Sequence, residues 1–254
     1  MHLFDLKGRV AIVTGGNGGI GLGMAEGLAQ AGASIMLAGR NAKKAEAALA
    51  RLRKSGSKAE FCEADVTKEA ACRALVAKTA ETFGRVDILI NNAGTNVRKQ
   101  VEQYTLAEWM HVMDTNLTSA FMCSQAVYPE MLKAKGGKIV NIGSMLSIFG
   151  TGFAAPYGAS KGGIVQLTKA LASGWAKDNI QANAVLPGWI ETELTDGAKR
   201  DIEGLNERVV ARTPAKRWGK PHELAGIAVF LCSAASDFVT GTAIPVDGGF
   251  SVQG

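Results

Sequence analysis

Val10-Ala11-Ile12-Val13-Thr14-Gly15-Gly16-Asn17-Gly18-Gly19-Ile20-Gly21 runs as an apolar strand-like stretch into a turn holding five glycines, and then into helical spacing. Glycines in such a turn let the backbone close on an anion and let the following helix approach the strand. The first N–H groups of that helix, which have no partner within it, then face the charge. Gly16, Gly18 and Gly21 stand at the G-x-G-x-x-G spacing of a dinucleotide cradle, and the flanking strand and helix give the context that the spacing alone lacks. Gly15, Asn17, Gly19, Ile20 and Gly21 are the cofactor contacts expected in this turn.

The same unit repeats along the chain. Short apolar runs at 9–14, 34–38, 59–63, 86–91, 138–142, 181–186 and 243–246 alternate with helical spacing at 20–31, 42–55, 68–83, 106–134 and 157–176. Alternation of this kind implies right-handed crossovers between parallel strands. The expectation is an α/β fold over residues 1–254: one Rossmann-like domain, doubly wound, with a seven-stranded parallel sheet and helices on both faces. Ligands of such sheets bind beyond the carboxyl ends of the strands, so the residues that close each strand are the candidates for chemistry.

Composition excludes several classes. At 254 residues, 47% hydrophobic and 20% charged, the chain can bury a core and does not read as disordered. The longest apolar stretch, 224–235, is interrupted by Gly226 and Ser233 and falls short of the roughly 18 residues of a membrane span. The segment from Met1 to Arg9 carries an early acid and no apolar core before a small-residue cleavage site, so no secretory signal is expected and the protein reads as cytoplasmic. Cys62, Cys72, Cys123 and Cys232 lie far apart and the histidines form no metal pair, which predicts neither zinc nor disulfides. The net charge of +5 is spread over lysines and arginines interspersed with acids and alanines, which marks solvated helix faces rather than a nucleic-acid surface.

A dinucleotide site built for NAD places a carboxylate about 20 residues after the glycine turn, where it holds the ribose hydroxyls. Here the second run ends in Gly39-Arg40-Asn41, with a guanidinium in that place. Arg40 can stack on an adenine and neutralise a 2′-phosphate, which favours NADP(H) and leaves NAD(H) possible. The same arginine would also serve as the cap of a surface turn.

Tyr157 and Lys161, in Pro156-Tyr157-Gly158-Ala159-Ser160-Lys161, are four residues apart and share one face of a helix whose first position suits Pro156. A cation about 4 Å from the phenolic oxygen, at an effective dielectric of 20, favours the phenolate by roughly 4 kcal/mol. That would draw the phenol from about 10 toward neutrality, where it can exchange protons. The spacing is common in ordinary helices, and its meaning depends on its surroundings.

Those surroundings resemble the short-chain dehydrogenase/reductase family along nearly the whole chain. Thr14-Gly15-x-x-x-Gly19-Ile20-Gly21 looks like the family's cofactor loop, Asn91-Asn92-Ala93-Gly94 like its motif after the fourth strand, and Tyr157-Gly158-Ala159-Ser160-Lys161 like its active-site motif. Ser144 follows the 138–142 run, Asn116 lies in Asp114-Thr115-Asn116, and Pro187-Gly188 follows the sixth run. The resemblance implies Tyr157 as general acid and base, Ser144 as hydrogen-bond donor to the substrate oxygen, and Lys161 on the nicotinamide ribose while lowering the tyrosine. It implies Asn116 as holder of a water that links Lys161 to solvent. Asn41, Asp65, Val66, Asn92, Ala93, Gly94, Pro187, Gly188, Ile190 and Thr192 resemble further cofactor contacts, and a homotetramer is implied. Gly162-Gly163 inside the same helix suggests close packing there. One departure is Gly18: NADP-preferring members often carry a basic residue at that position.

Residues 188–221 are charged and irregular with few apolar anchors, which predicts a mobile lid over the substrate. Arg98 follows the Asn-Asn-Ala-Gly motif closely, and its guanidinium suits a carboxylate; Met145 and Trp189 are the other candidate substrate contacts. Ser144-Met145-Leu146-Ser147, the stretch 175–180 and the stretch 212–219 resemble gluconate 5-dehydrogenases and 2-deoxygluconate 3-dehydrogenases. The expected activity is NADP(H)-dependent interconversion of a secondary alcohol and a ketone on a small-molecule sugar acid. The alternatives are a reductase of another carbonyl class, such as a 3-oxoacyl thioester, a steroid or a xenobiotic ketone, and a nucleotide-binding sensor or scaffold.

Overall fold

Every short apolar run becomes a strand: β1 (Val10–Thr14), β2 (Ser34–Gly39), β3 (Ala59–Glu63), β4 (Ile88–Asn91), β5 (Gly137–Ile142), β6 (Ile180–Pro187) and β7 (Ala243–Val246). They pair in parallel in the order β3-β2-β1-β4-β5-β6-β7. The computed structural model describes residues 2–253. Between the strands run α1 (Gly19–Gln30), α2 (Ala42–Lys54), α3 (Glu69–Phe83), α4 (Leu106–Met113), α5 (Ser119–Lys133), α6 (Ala155–Trp175), α7 (Glu193–Asp201), α8 (Leu205–Arg212) and α9 (Ala225–Cys232).

Parallel strands covered on both faces are written as continuous apolar runs, and the pleat then sends alternate residues to opposite layers. Ala11, Val13, Ile35, Leu37, Ile88 and Ile90 pack with Met24 and Leu28 of α1 and Leu231 of α9. Ile12, Met36 and Leu89 face the other way, onto Leu75 of α3, Val127 and Met131 of α5 and Leu171 of α6. The edges are the loosest: β3 is part exposed and β7, with Pro245 in it, is nowhere fully buried, in keeping with edge positions. On the first layer α1 approaches the entry to α9 closely enough that a Cβ on Gly23 would lie 2.2 Å from the Pro221 carbonyl oxygen.

Three expectations require correction. The helix read over 106–134 is broken: α4 ends at Met113, Asp114–Thr118 forms a single wide π turn, and α5 begins at Ser119. The Ser119 hydroxyl donates to the Thr115 carbonyl at 2.6 Å, and the Thr115 hydroxyl to the His111 carbonyl at 2.7 Å, so side chains serve carbonyls around the widened turn. The irregular stretch read over 188–221 is also wrong in kind. It holds α7 and α8, and its apolar residues pack on one another, with Ala198, Leu205, Val209 and Trp218 forming a small core of their own. Pro156 occupies the second position of α6 rather than the first. Of the two glycines in α6, Gly163 faces Leu117 of the same chain, 2.7 Å from where its Cβ would stand, while Gly162 faces open space.

Among the described residues, no helix is long and apolar enough to cross a membrane and no cluster of His, Cys, Asp and Glu could hold a metal ion.

Candidate active site

The strand order reverses between β1 and β4, and the carboxyl ends of the strands open there into a cleft of about 600 Å³. Its floor is pinned by Thr14 at the end of β1, whose hydroxyl accepts from the backbone N–H groups of Asn92 at 3.0 Å and Ala93 at 3.1 Å. Asn92 returns the tie, its side-chain amide donating to the carbonyls of Thr14 at 3.0 Å and Gly15 at 3.1 Å. Behind it Asn91 donates to Asn141 at 2.8 Å and Asn141 to Thr168 at 2.9 Å, a buried polar chain joining β4, β5 and α6.

The glycine turn takes shapes that only glycine adopts without strain: Gly15 at φ +62° and Gly19 at φ +51°. Gly15, Asn17, Gly18, Gly19 and Ile20 line the cleft. Gly21 lies behind it, where a Cβ would stand 2.4 Å from the Asn92 amide nitrogen and 2.7 Å from the Gly15 carbonyl oxygen. Its part is therefore close packing of turn on strand rather than the contact expected of it. Arg40, Asn41, Asp65 and Val66 form one end of the cleft, and Asn92, Ala93 and Gly94 its middle. Pro187, Gly188, Ile190 and Thr192 form the roof. Hydrogen bonds from the Thr67 hydroxyl and backbone hold the Asp65 carboxyl below its usual range. The residues present suit a dinucleotide: a glycine cradle at the start of α1, in which side chains would fill the space an anion needs, leads to a guanidinium at the far end.

Ser144, Tyr157 and Lys161 meet at the other end. Ser144 caps a short turn, and its hydroxyl accepts the Leu146 N–H at 3.1 Å, so its own proton is the one that bonds with the Tyr157 phenol. The electrostatics of the tyrosine differ from expectation. Burial pushes the Tyr157 phenol above its usual value, against the lowering effects of a hydrogen bond with Ser144 and of the Arg98 charge. Lys161 does not draw it down. The residue is 4% exposed, and its ammonium donates to the Ile142 carbonyl at 2.6 Å and sits 5.7 Å from the centre of the phenol ring. Burial lowers Lys161 to about 8. Desolvation thus disfavours the charged form of both groups, so the tyrosine keeps its proton near neutral pH.

Asn116 sits on the wide π turn behind the cleft wall. Its side-chain oxygen accepts the Thr95 N–H at 2.7 Å, and its nitrogen donates at 3.0 Å both to the Thr95 carbonyl and to the Ser160 hydroxyl. The amide is thereby occupied in tying the loop after β4 to α6. Arg98 is turned toward α7, bonded to Asp201 at 3.4 Å and to the Leu194 carbonyl at 3.3 Å. Met145 and Trp189 lie behind the cleft rather than in its wall: Met145 is buried with Leu186 and Phe250, and Trp189 packs edge-on against Trp218 at 5.4 Å.

The profile of a family described as enoyl-(acyl carrier protein) reductase matches residues 15–251. The chain belongs to the short-chain dehydrogenase/reductase family. It is 43% identical over 250 residues to the 2-dehydro-3-deoxy-D-gluconate 5-dehydrogenase of Formosa agariphila, covering 98% of this chain and 95% of that protein. To the gluconate 5-dehydrogenase of Gluconobacter oxydans it is 42% identical over 251 residues, 99% of this chain and 98% of that one. A crystal structure of a gluconate 5-dehydrogenase from Burkholderia cenocepacia, in complex with NADP and tartrate, superposes with a TM-score of 0.94 at 42% identity, covering 100% of this chain and 99% of that chain.

Within this short-chain dehydrogenase/reductase, the cleft also holds charged residues that the sequence reading did not mark. Lys44 of α2 and Glu193 of α7 face each other across it and pair at 2.6 Å. The one available signal was position: Lys44 lies four residues after Arg40, in the first turn of a helix that Asn41 caps.

Proposed function

We propose that this chain is an NADP(H)-dependent oxidoreductase that interconverts a secondary alcohol and a ketone on a sugar acid of the gluconate type. The observation that carries this reading is one cleft with two ends: the Ser144, Tyr157 and Lys161 side chains at one, and Arg40 at the other, at the end of β2 where a carboxylate would meet a ribose 2′-hydroxyl. The relatives named for gluconate chemistry, and the one holding NADP and tartrate, support it.

The glycine turn, Arg40, Asn41, Asp65, Val66 and the residues after β4 and β6 would hold the dinucleotide, which when bound supplies or accepts the hydride. The chain's own residues move the proton. Tyr157, protonated near neutral pH, gives its proton to the substrate oxygen as the ketone is reduced and takes it back in oxidation. Ser144 turns its hydroxyl proton from the phenol to the same oxygen, fixing the carbonyl against the phenol. Lys161 has two donors left after its bond to Ile142, enough for the ribose hydroxyls beside the tyrosine. Asn116 acts as a positioning residue through Thr95 and Ser160.

Residues 188–221 serve as the lid of this single domain. Arg98, held by Asp201 and the Leu194 carbonyl and close enough to act on the Tyr157 phenol, is the group that meets the substrate carboxylate. The enzyme is cytoplasmic and a homotetramer in this reading, with NAD(H) as a poorer cofactor.

Initial rates of NADPH consumption with keto sugar acids and matched uncharged ketones, with NADH in parallel and Tyr157→Phe as control, test the proposal. Turnover confined to the acids and faster with NADPH is the expected result, with Arg98→Ala raising KM for the acids alone. Preference for the uncharged ketones would remove the carboxylate from the reading and leave a general carbonyl reductase.

A further inference from the structure

We propose that Lys44 is a second cation of the site for the cofactor's 2′-phosphate, acting beside Arg40, and that Glu193 of the lid holds it in the ligand-free enzyme. This rests on the NADP reading of the cleft and deepens it. Three observations converge.

The first is placement. Asn41 accepts the Lys44 N–H at 2.8 Å, which fixes the opening turn of α2 beside the end of β2. From there the lysine side chain crosses to the glycine turn: a Cβ on Gly18 would stand 3.0 Å from its Cε and 3.1 Å from its Nζ. The space that a side chain at position 18 would occupy is therefore filled from α2. A cation absent from the glycine turn in sequence is present beside it in space.

The second is charge. Arg40, Asn41, Gly18 and Lys44 all line the cleft. Its carboxylates are Asp65, engaged by the Thr67 hydroxyl at 2.8 Å, and Glu193, which comes from the lid. An arginine and a lysine at this end suit a doubly charged phosphate, the guanidinium as a planar donor and the ammonium as a point charge.

The third is the weakness of the existing partner. Lys44 and Glu193 pair at 2.6 Å, but their side chains are 36% and 80% exposed, and exposed pairs of this kind are weakly held. A phosphate brings more charge and more acceptor oxygens than one carboxylate, so it takes the ammonium from Glu193. The carboxylate competes for the same charge, and binding of the phosphate frees the first turn of α7 from α2.

Calorimetric titration of the cofactor-free enzyme with 2′,5′-ADP and with 5′-AMP, which differ only in the 2′-phosphate, reads this without turnover. In Lys44→Met, affinity for 2′,5′-ADP should fall about tenfold while that for 5′-AMP holds within about twofold. Lys44→Arg should restore the preference, and Glu193→Gln should tighten 2′,5′-ADP by about two- to fivefold. Equal weakening of both nucleotides in Lys44→Met, or no change in either, overturns the proposal, as does weaker 2′,5′-ADP binding in Glu193→Gln. Wild-type enzyme that binds the two nucleotides equally removes the NADP reading itself. Wild type that prefers 2′,5′-ADP, with Lys44→Met keeping that preference, removes Lys44 alone.

Discussion

Replacing Lys161 with methionine separates what burial does to this ammonium from what its hydrogen bond does. In the folded, cofactor-free chain burial lowers the lysine from 10.5 to about 8, while the unfolded chain returns it to its ordinary value. Between those two values the unfolded state binds more protons than the folded one, so stability rises with pH across the window and is flat below it. At about 1.36 kcal/mol per pKa unit, the buried charge costs about 3 kcal/mol at pH 7 and less than about 1 kcal/mol by pH 10. Lys161→Met removes that cost but leaves the Ile142 carbonyl, now bonded at 2.6 Å, without its donor. The lost bond costs about 1–3 kcal/mol at every pH. The absolute difference between the two proteins at pH 7 is therefore small, but its slope is not. From pH 7 to pH 10 the wild type should gain about 2 kcal/mol on the variant. Urea unfolding at pH 7, 8, 9 and 10 measures it, and the subtraction cancels every tyrosine, cysteine and other lysine, which both proteins share. A difference that stays level over that range would refute the claim that burial squeezes the charge.

Three further outcomes follow from the same geometry. Tyr157→Phe keeps the ring and loses the hydroxyl, so turnover should fall about 10²- to 10⁴-fold while the dissociation constant for NADPH, followed by fluorescence, stays within about twofold. Gly21→Ala places a methyl 2.4 Å from the Asn92 amide nitrogen and 2.7 Å from the Gly15 carbonyl oxygen, so the bonds from Asn92 to β1 must give way. Stability should drop by about 1–3 kcal/mol and dinucleotide binding weaken at least tenfold, with thermal unfolding and titration as the two readouts. Trp218→Ala empties the centre of the small lid core and removes the bond from its indole to Asn206 at 3.0 Å. Proteolysis within 193–217 should accelerate while urea unfolding of the sheet changes little, because the strand layers pack without this residue.

The strands were legible because parallel strands buried on both faces spell themselves as unbroken apolar runs, and the glycine turn because its backbone conformations demand its residues. Strand-end logic then brought Asn92, Ser144 and Pro187 to one cleft from far apart in the chain. What stayed hidden has a common physical form: choices made by backbone carbonyls and flexible side chains. The wide turn at Asp114–Thr118 adds a residue to one coil and rotates everything after it, yet the apolar spacing on either side still reads as helix. Its visible trace is the run of hydroxyls at Thr115, Thr118 and Ser119, of which Thr115 and Ser119 donate to carbonyls around the turn. Helical spacing correctly placed Lys161 on the face of Tyr157, but four methylenes let an ammonium choose among acceptors. It took the Ile142 carbonyl, a partner no sequence pattern marks. Lys44 shows the converse. Its charge was counted among those of a solvated helix face, and only the approach of α2 to Gly18 reveals that the face borders the cleft. A spacing rule thus fixes which side chains share a neighbourhood, and the unpaired backbone groups of that neighbourhood decide which of them are left free to act.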